Sequence, residues 1–280
     1  MKKWLILIFI PGMIFSNTER DMGPQPELSP KKIHEWILFY TNVERIEKKL
    51  SPLVYDEILE KAAVWQAEYC AGIKGLSHTA DVSGMKTPGD RIRHFNGSWM
   101  TYGENLTVSF AMNMAKVSYT IRSDAKGKYK DFGNKEISWY NENTLAYAMV
   151  SESWMNSPGH RANILSPKFY ALGAGSAKGE YSKQKEAYYG CQVFTGNKKW
   201  DFSLLTAKKK KNQIRVDFPE KGLEVVILSF KKLPGNFEVI KALKKEGTES
   251  VFEIEGEGIF FIACFDPETG IYYPVKKIKN

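Results

Sequence analysis

Cysteine is scarce in this 280-residue chain: only Cys70, Cys191 and Cys264 occur. A scaffold built on disulfides needs more, so packing must hold this fold. Three buried free thiols is the default reading, and a Cys70–Cys191 bridge is the alternative in an oxidising compartment. Long apolar runs are missing after the first few residues. The single run, Trp4–Phe15, follows Lys2 and Lys3 and gives way to Ser16-Asn17-Thr18. It is short for a bilayer span and has the layout of a secretory signal, so residues 1–16 read as a signal peptide cleaved near Ser16. No cysteine follows it, which argues against lipid attachment there. The mature protein is expected outside the cytoplasm: secreted, periplasmic or at the cell surface. Zinc-finger spacing, an HExxH motif and a basic-aromatic alternation are absent too. Nucleic acid is therefore not an expected partner.

What is present is a globular composition. Hydrophobic residues make up 43%, charged residues 26% and aromatics 13%, enough for a sizeable core. The length suits one large domain, or a medium domain with a smaller companion. With 40 basic against 32 acidic residues the net charge is +8, which favours attraction to anionic polymers, cell walls or lipid surfaces. Half of that excess sits in the run Lys208–Lys211.

Helix signals begin at Ser29-Pro30, where Ile33, Trp36, Ile37, Tyr40 and Val43 recur at helical spacing. Ser51-Pro52 is expected to start a second helix, with Gly72 and Gly75 ending it. A third helical pattern runs from Leu145 to Met155. Strand-like segments follow at Ala171–Gly175 and Tyr188–Phe194. Helices precede strands with no repeated βαβ unit, so the class is α+β. The long polar stretch Ser118–Asn143 suits a functional connection, with Tyr119, Ile121, Ile137 and Trp139 fitting a hairpin around a Gly-Asn tip. Beyond the lysine run the pattern turns to short strands: Leu223–Phe230, Phe237–Ile240, Val251–Ile254, Ile259–Phe265 and Tyr272–Val275. That reads as residues 197–212 forming a basic linker and 213–280 a small, independent all-β domain of sandwich type.

Four histidines are candidates for chemistry: His34, His78, His94 and His160. His34 lies in a helical pattern and His94 beside Arg91 and Arg93, so both read as surface or structural. His78 and His160 each follow a helix in a Gly/Ser-containing break, where a rigid scaffold presents reactive groups. In "WMNSPGHRANIL" Ser157 can cap and Pro158 can open a short helix, while Arg161 is expected to satisfy carbonyls or a carboxylate beneath the site. In "YGENL" Gly103 can take a positive φ, Glu104 can point inward and Asn105 can bond the local turn. Glu152, on the helix leading to His160, completes the set. Two imidazoles with carboxylates suit a divalent ion, a paired acid and base, or simply a hydrogen-bonded network. The residues alone leave these open.

The segments "TNVER", "LSHT", "YGENL", "WMNSPGHRANIL" and "YYGCQVF" occur in an order that resembles the CAP superfamily of cysteine-rich secretory proteins, venom antigens and plant pathogenesis-related proteins. The Ser-Pro-Gly-His-Arg form resembles its bacterial branch, and the likeness spans residues 30–196. It implies a three-layer α-β-α sandwich around a mainly antiparallel sheet, with a cleft lined by two histidines and two glutamates. His78, Glu104 and His160 match that pattern directly and Glu152 more loosely. Cys191 stands where the family usually has a polar residue, and the 118–143 insertion is longer than typical.

The resemblance implies an exported binding protein whose cleft takes a divalent cation, zinc first, through His78, Glu104, Glu152 and His160, or an extended lipid or glycan. No organic cofactor is implied, and no general activity. Should the cluster act as a metal-assisted hydrolase, His78, Glu104 and His160 would carry it. A third reading is a surface module that docks a cell-surface protein while the cleft is vestigial.

Overall fold

The computed structural model describes residues 26–111, 122–123, 129–130, 139–181, 184–197 and 199–278. The expected signal segment, Tyr119, Ile121 and Ile137 lie outside the described residues. Residues 27–111 and 140–280 form one compact unit.

Helix α1 (Pro30–Glu47) begins where Ser29 caps it, its side chain accepting from the Lys32 N–H, with proline in the first turn. The chain then forms β1 (Val54–Tyr55), and α2 (Glu57–Gly72) starts at an Asp56 cap. The start expected at Ser51-Pro52 is therefore corrected. The reason is Asn42, whose amide imitates a neighbouring strand: Nδ2 donates to Leu53 O at 2.9 Å and Oδ1 accepts from Leu53 N at 2.7 Å. Leu53–Tyr55 is held extended, and the helix must wait for the next cap.

After α3 (Pro88–His94) and β2 (Tyr102–Phe110), β3 (Arg122–Ser123) and β4 (Tyr129–Lys130) pair as a short antiparallel ladder in the other unit. Next, α4 (Glu142–Tyr147) runs into a π-helical turn (Ala148–Ser153) and a 3-10 turn (Trp154–Asn156), then α5 (Pro158–Ile164). The single helix expected over Leu145–Met155 is thus three helical forms in series. Strands β5 (Ala171–Tyr181) and β6 (Gln184–Thr195) follow.

The sheet order is β1-β5-β6-β2, antiparallel except for the β1–β5 pair. Its two faces are covered by different helices because side chains alternate along a strand. Ala171, Tyr189, Cys191 and Val193 pack with Leu59, Ala63 and Ala67 of α2. On the opposite face Gln192 reaches Thr41 of α1. Helix α2 lies close against β5, where a Cβ at Gly175 would stand 2.3 Å from the Ala63 carbonyl carbon. Only glycine fits under the helix there. The result is the expected three-layer α-β-α arrangement.

The remaining chain is all β. It comprises β7 (Thr206–Lys210), β8 (Gln213–Asp217), β9 (Glu224–Phe230), β10 (Phe237–Ile240), β11 (Lys244–Glu246), β12 (Glu249–Glu253), β13 (Ile259–Asp266) and β14 (Ile271–Ile278). Two four-stranded sheets form, β10-β9-β13-β14 and β11-β12-β8-β7. Ile214, Val216 and Phe252 from one meet Ile227, Phe260 and Ile262 from the other in a shared core, as a sandwich requires. The lysine run is not a linker. Lys208–Lys210 belong to β7, an edge strand whose charges deter further pairing, and Lys211 takes a positive φ in the turn to β8.

This β region is tied to α1 by aromatic rings. Phe39 is 3% exposed and sits 5.5 Å from Phe230, 6.3 Å from Phe237 and 6.2 Å from Phe261 between ring centroids. Without the β region that ring would keep only Trp36 and Tyr40 of its own helix as aromatic neighbours. We therefore expect one cooperative thermal transition for both parts. Phe39→Ala should lower stability by about 3–5 kcal/mol, as large aromatic truncations do. Calorimetry of wild type and variant checks this, and two resolved transitions in the wild type would contradict it.

Candidate functional site

Helix α5 has seven residues, too few to hold its own position. Pro158 opens it as expected, but Ser157 makes no side-chain cap bond. The backbone closes the turn instead, with Arg161 N donating to Ser157 O at 2.9 Å. The far end is fixed by Arg45, from the "TNVER" segment and 2% exposed. Its guanidinium donates to Ser51 O at 2.8 Å, Ile164 O at 2.7 Å, Ser166 O at 2.9 Å and Phe169 O at 3.2 Å. Burial lowers the Arg45 pKa to about 10, which leaves it charged at neutral pH.

The Gly-Glu-Asn segment lies on β2, the edge strand, and the pleat sends Glu104 and Asn105 to opposite faces. Asn105 Nδ2 donates to His160 O at 3.0 Å and to Gln192 Oε1 at 3.0 Å. Asn163 Nδ2 donates to Asn105 Oδ1 at 2.8 Å and to Glu104 O at 3.2 Å. Asn105 thus ties α5 to the sheet rather than bonding a local turn. Gly103 does not take a positive φ either. A Cβ there would stand 2.9 Å from the Phe169 ring, so the residue is small to admit that ring.

On the other face the Glu104 carboxylate is 2% exposed and held from two sides. His78 Nδ1 lies 2.8 Å from Oε1, and Arg91 Nη2 donates to Oε2 at 2.5 Å. The Cys191 thiol points at the same oxygen from 3.8 Å. A carboxylate only accepts, so His78 Nδ1 carries a proton and Nε2 is the nitrogen that titrates. The bond to Glu104 raises the His78 pKa against a smaller opposing effect of burial. Burial lowers the His160 pKa, and the His78 charge adds to that. His160 Nδ1 is buried with no hydrogen-bond partner. Burial pushes the Cys191 thiol well up, so it behaves as an inert core group.

His78, Glu104 and His160 are therefore brought together at one edge of the sheet. Glu152 is not: it is exposed, and its charge acts on Tyr140 and Tyr147 instead. The π-helical turn changes the phase of the chain there, with Met149, Val150 and Trp154 taking the buried face. Among the described residues, no three His, Cys, Asp or Glu side chains form a group able to hold a metal ion. Arg161 satisfies a carbonyl, Met155 O at 3.1 Å, but on the surface.

The arginine beneath the site is Arg91, 0% exposed, which also donates to Met85 O at 3.1 Å and His78 O at 3.4 Å. Reading the sequence missed it. The available signal was the Thr87/Asp90 capping box that opens α3, whose Asp90 directly precedes it. His34 is buried rather than superficial: Nδ1 faces Glu60 at 2.8 Å and Nε2 faces Ser176 at 3.1 Å, so its role is structural. His94 is exposed, as expected. The three cysteines are all free and buried.

The family described as "CAP: Cysteine-rich secretory protein family" matches residues 38–194, more than half of the chain. This chain belongs to the CAP family. Over 135 residues it is 30% identical to the uncharacterized protein YkwD of Bacillus subtilis, covering 48% of this chain and 38% of that protein. The CAP chain thus spans well under half the length of this relative. Among solved structures it is similar to an extracellular SCP-domain protein from Bacillus anthracis, at 18% identity and a TM-score of 0.40, covering 60% of this chain and 41% of the other. It is also similar to an outer surface protein from Borrelia burgdorferi, at 16% identity and a TM-score of 0.39, covering 61% and 98%.

The site makes a pH-dependent contribution to stability that can be read directly. Because the His78 pKa is raised, its contribution is complete below the unfolded value of about 6.5 and fades as pH rises through the folded value. His160 acts in the opposite sense, losing stability as pH falls below about 6.5. Glu104→Gln should drop the His78 pKa and leave the Arg91 charge buried without a counter-charge, at a cost of about 3–5 kcal/mol. Histidine-resolved NMR titration and chemical denaturation check both effects. A His78 resonance that titrates alike in both proteins would contradict the assignment.

Proposed function

We propose that this CAP protein is an exported binding protein whose site anchors an extended ligand with an anionic head and an apolar body, such as a lipid. One observation carries this reading. Among the described residues seven large apolar side chains are exposed, and five of them (Ile73, Leu76, Val82, Met100 and Tyr102) lie on the stretch from the end of α2 to the first residue of β2, which also carries His78. An exposed apolar patch that is contiguous in space marks a binding surface, and these five side chains are the candidates for one beside His78. His78, with its side chain 56% exposed, offers the polar anchor. Glu104 holds its ring and favours the charged form, and Arg91 keeps Glu104 in place. An imidazolium so held can donate from Nε2 to a carboxylate or phosphate.

A divalent cation is the second reading, favoured by the unpartnered His160 Nδ1 and by the carboxylate behind His78, an arrangement that orients metal-binding imidazoles. His78 and His160 would hold the ion, which could polarise a ligand oxygen. A serine-based hydrolase has less support, because the Ser77 hydroxyl beside His78 donates to Thr79 O at 2.7 Å.

The two readings predict opposite pH dependence. An anionic ligand needs His78 protonated, so affinity should fall as pH rises through its raised pKa. A cation needs the imidazoles neutral, so affinity should fall as pH drops. Calorimetric titration with laurate and with zinc separates them. His78→Ala should weaken laurate binding by roughly 10- to 100-fold, the loss expected for one charge-assisted hydrogen bond. Laurate affinity indifferent to pH and to His78 would remove the first reading. Zinc affinity equal in wild type, His78→Ala and His160→Ala would remove the second.

A further inference from the structure

A cavity of about 420 Å³ opens where α1 meets the turns before β10 and β14. It shares no residue with the His78/Glu104/His160 site. Trp36, Phe39, Phe237 and Tyr272 line it, and its charged lining is two carboxylates, Glu35 and Glu142, against one ammonium, Lys32. Small-molecule sites favour such seams and occupy roughly 300–1,000 Å³. The Trp36 and Phe237 rings meet edge-on at 5.7 Å, and the Phe237 and Tyr272 rings at 5.2 Å. Trp36, Phe237 and Tyr272 are only partly buried, so they form an aromatic corner with surface left over.

The polar groups around this corner discriminate between ligands. Asn143 is engaged at both ends, accepting from Tyr40 OH at 2.7 Å and donating to Gly235 O at 2.9 Å. Asn141 caps α4, and Glu142 Oε1 accepts from Ser29 N at 3.0 Å. A neutral sugar would find few free partners. Glu35 differs: among the described residues no hydrogen bond or ion pair holds its carboxylate. Burial raises its pKa and the neighbouring Glu60 charge adds to that, against the opposing pull of Lys31, Lys32 and His34. Glu35 and Ile271 also line an adjoining cavity of about 240 Å³ with Glu57, Glu60, Glu268 and Lys31, where Glu57 pairs with Lys61 and Glu60 is held by His34 and Tyr55. In a chain of net charge +8, this seam is locally acidic.

We propose that the seam binds an organic cation, an ammonium group with apolar substituents, using Glu35 as counter-charge and Trp36, Phe237 and Tyr272 as walls. Aromatic rings attract alkylated ammonium through their quadrupole, and a partly desolvated carboxylate adds a direct charge term. Neither feature rewards a neutral ligand of the same shape.

The test uses the full chain at neutral pH with choline as probe, read by calorimetry. Its comparator is the neutral isostere in which a tert-butyl group replaces the trimethylammonium. Choline should bind saturably and the isostere at least about tenfold more weakly, a difference of about 1.4 kcal/mol. Glu35→Gln should cost choline a similar factor while leaving the melting temperature near wild type, since the carboxylate makes no bond in the fold. Retention on phosphatidylcholine vesicles that free choline displaces would place the cation on a lipid headgroup. Choline binding without vesicle retention would make it a free amine. Equal binding of choline and isostere, unchanged affinity in Glu35→Gln, or no binding and no retention would each overturn the proposal.

Discussion

A carboxylate buried between an arginine and a histidine sets the terms for the site. Removing Glu104 and Arg91 from water costs several kcal/mol per ion, and their attraction offsets this only with good geometry and further hydrogen bonds. Both conditions shape the surroundings. The guanidinium reaches carbonyls on both sides of the 78–87 segment, which ties that loop to α3. The second carboxylate oxygen orients His78. A pair of this kind adds little net stability, but its bonds join loop, helix and strand at one point. The His78 imidazole inherits its orientation and its raised pKa from that arrangement.

The edge position of β2 explains how residues on opposite faces serve one place. Glu104 looks toward α3, while Asn105 looks toward the Gln192–Thr41 chain that leads to α1. Beside an interior strand those two faces would be separated by the sheet. Here α5 wraps the edge, carrying His160, and Arg45 and Asn105 fix it from its two ends. The position of His160 thus depends on α1, 115 residues earlier by the Arg45–His160 spacing (160 − 45). The other side of α1 meets the β region through Phe39 and Trp36. One helix therefore supports the histidine site and forms a wall of the aromatic seam.

Several elements were legible because their causes are local. Ser29-Pro30 caps and opens α1 within four residues. The strands over 223–275 show in runs of Val, Ile and Phe bounded by Pro-Gly-Asn and Pro-Glu-Thr-Gly. Other elements hid because their causes lie elsewhere. Leu53–Tyr55 is extended only because Asn42 and β5 hold it. The lysine strand β7 has no apolar alternation to betray it, and is a strand because β8 offers a partner. Gly103 looked like a turn residue, yet it makes room for a ring 66 positions away (169 − 103).

By itself the sequence determined the cast and its order: helices before strands, the "YGENL" and "SPGHR" segments, two loop histidines and one inward glutamate. These follow from period, caps and motif spacing, all written within a few residues of where they act. The tertiary structure decided the pairings. It gave Glu104 to Arg91 and His78, sent Glu152 outward at a π-helical turn, left the three cysteines unbridged, and made a seam of Trp36, Phe237 and Tyr272. Burial and Coulomb energies depend on separations of a few ångström between residues far apart in the chain. No local pattern encodes those separations until the sheet and helices have packed.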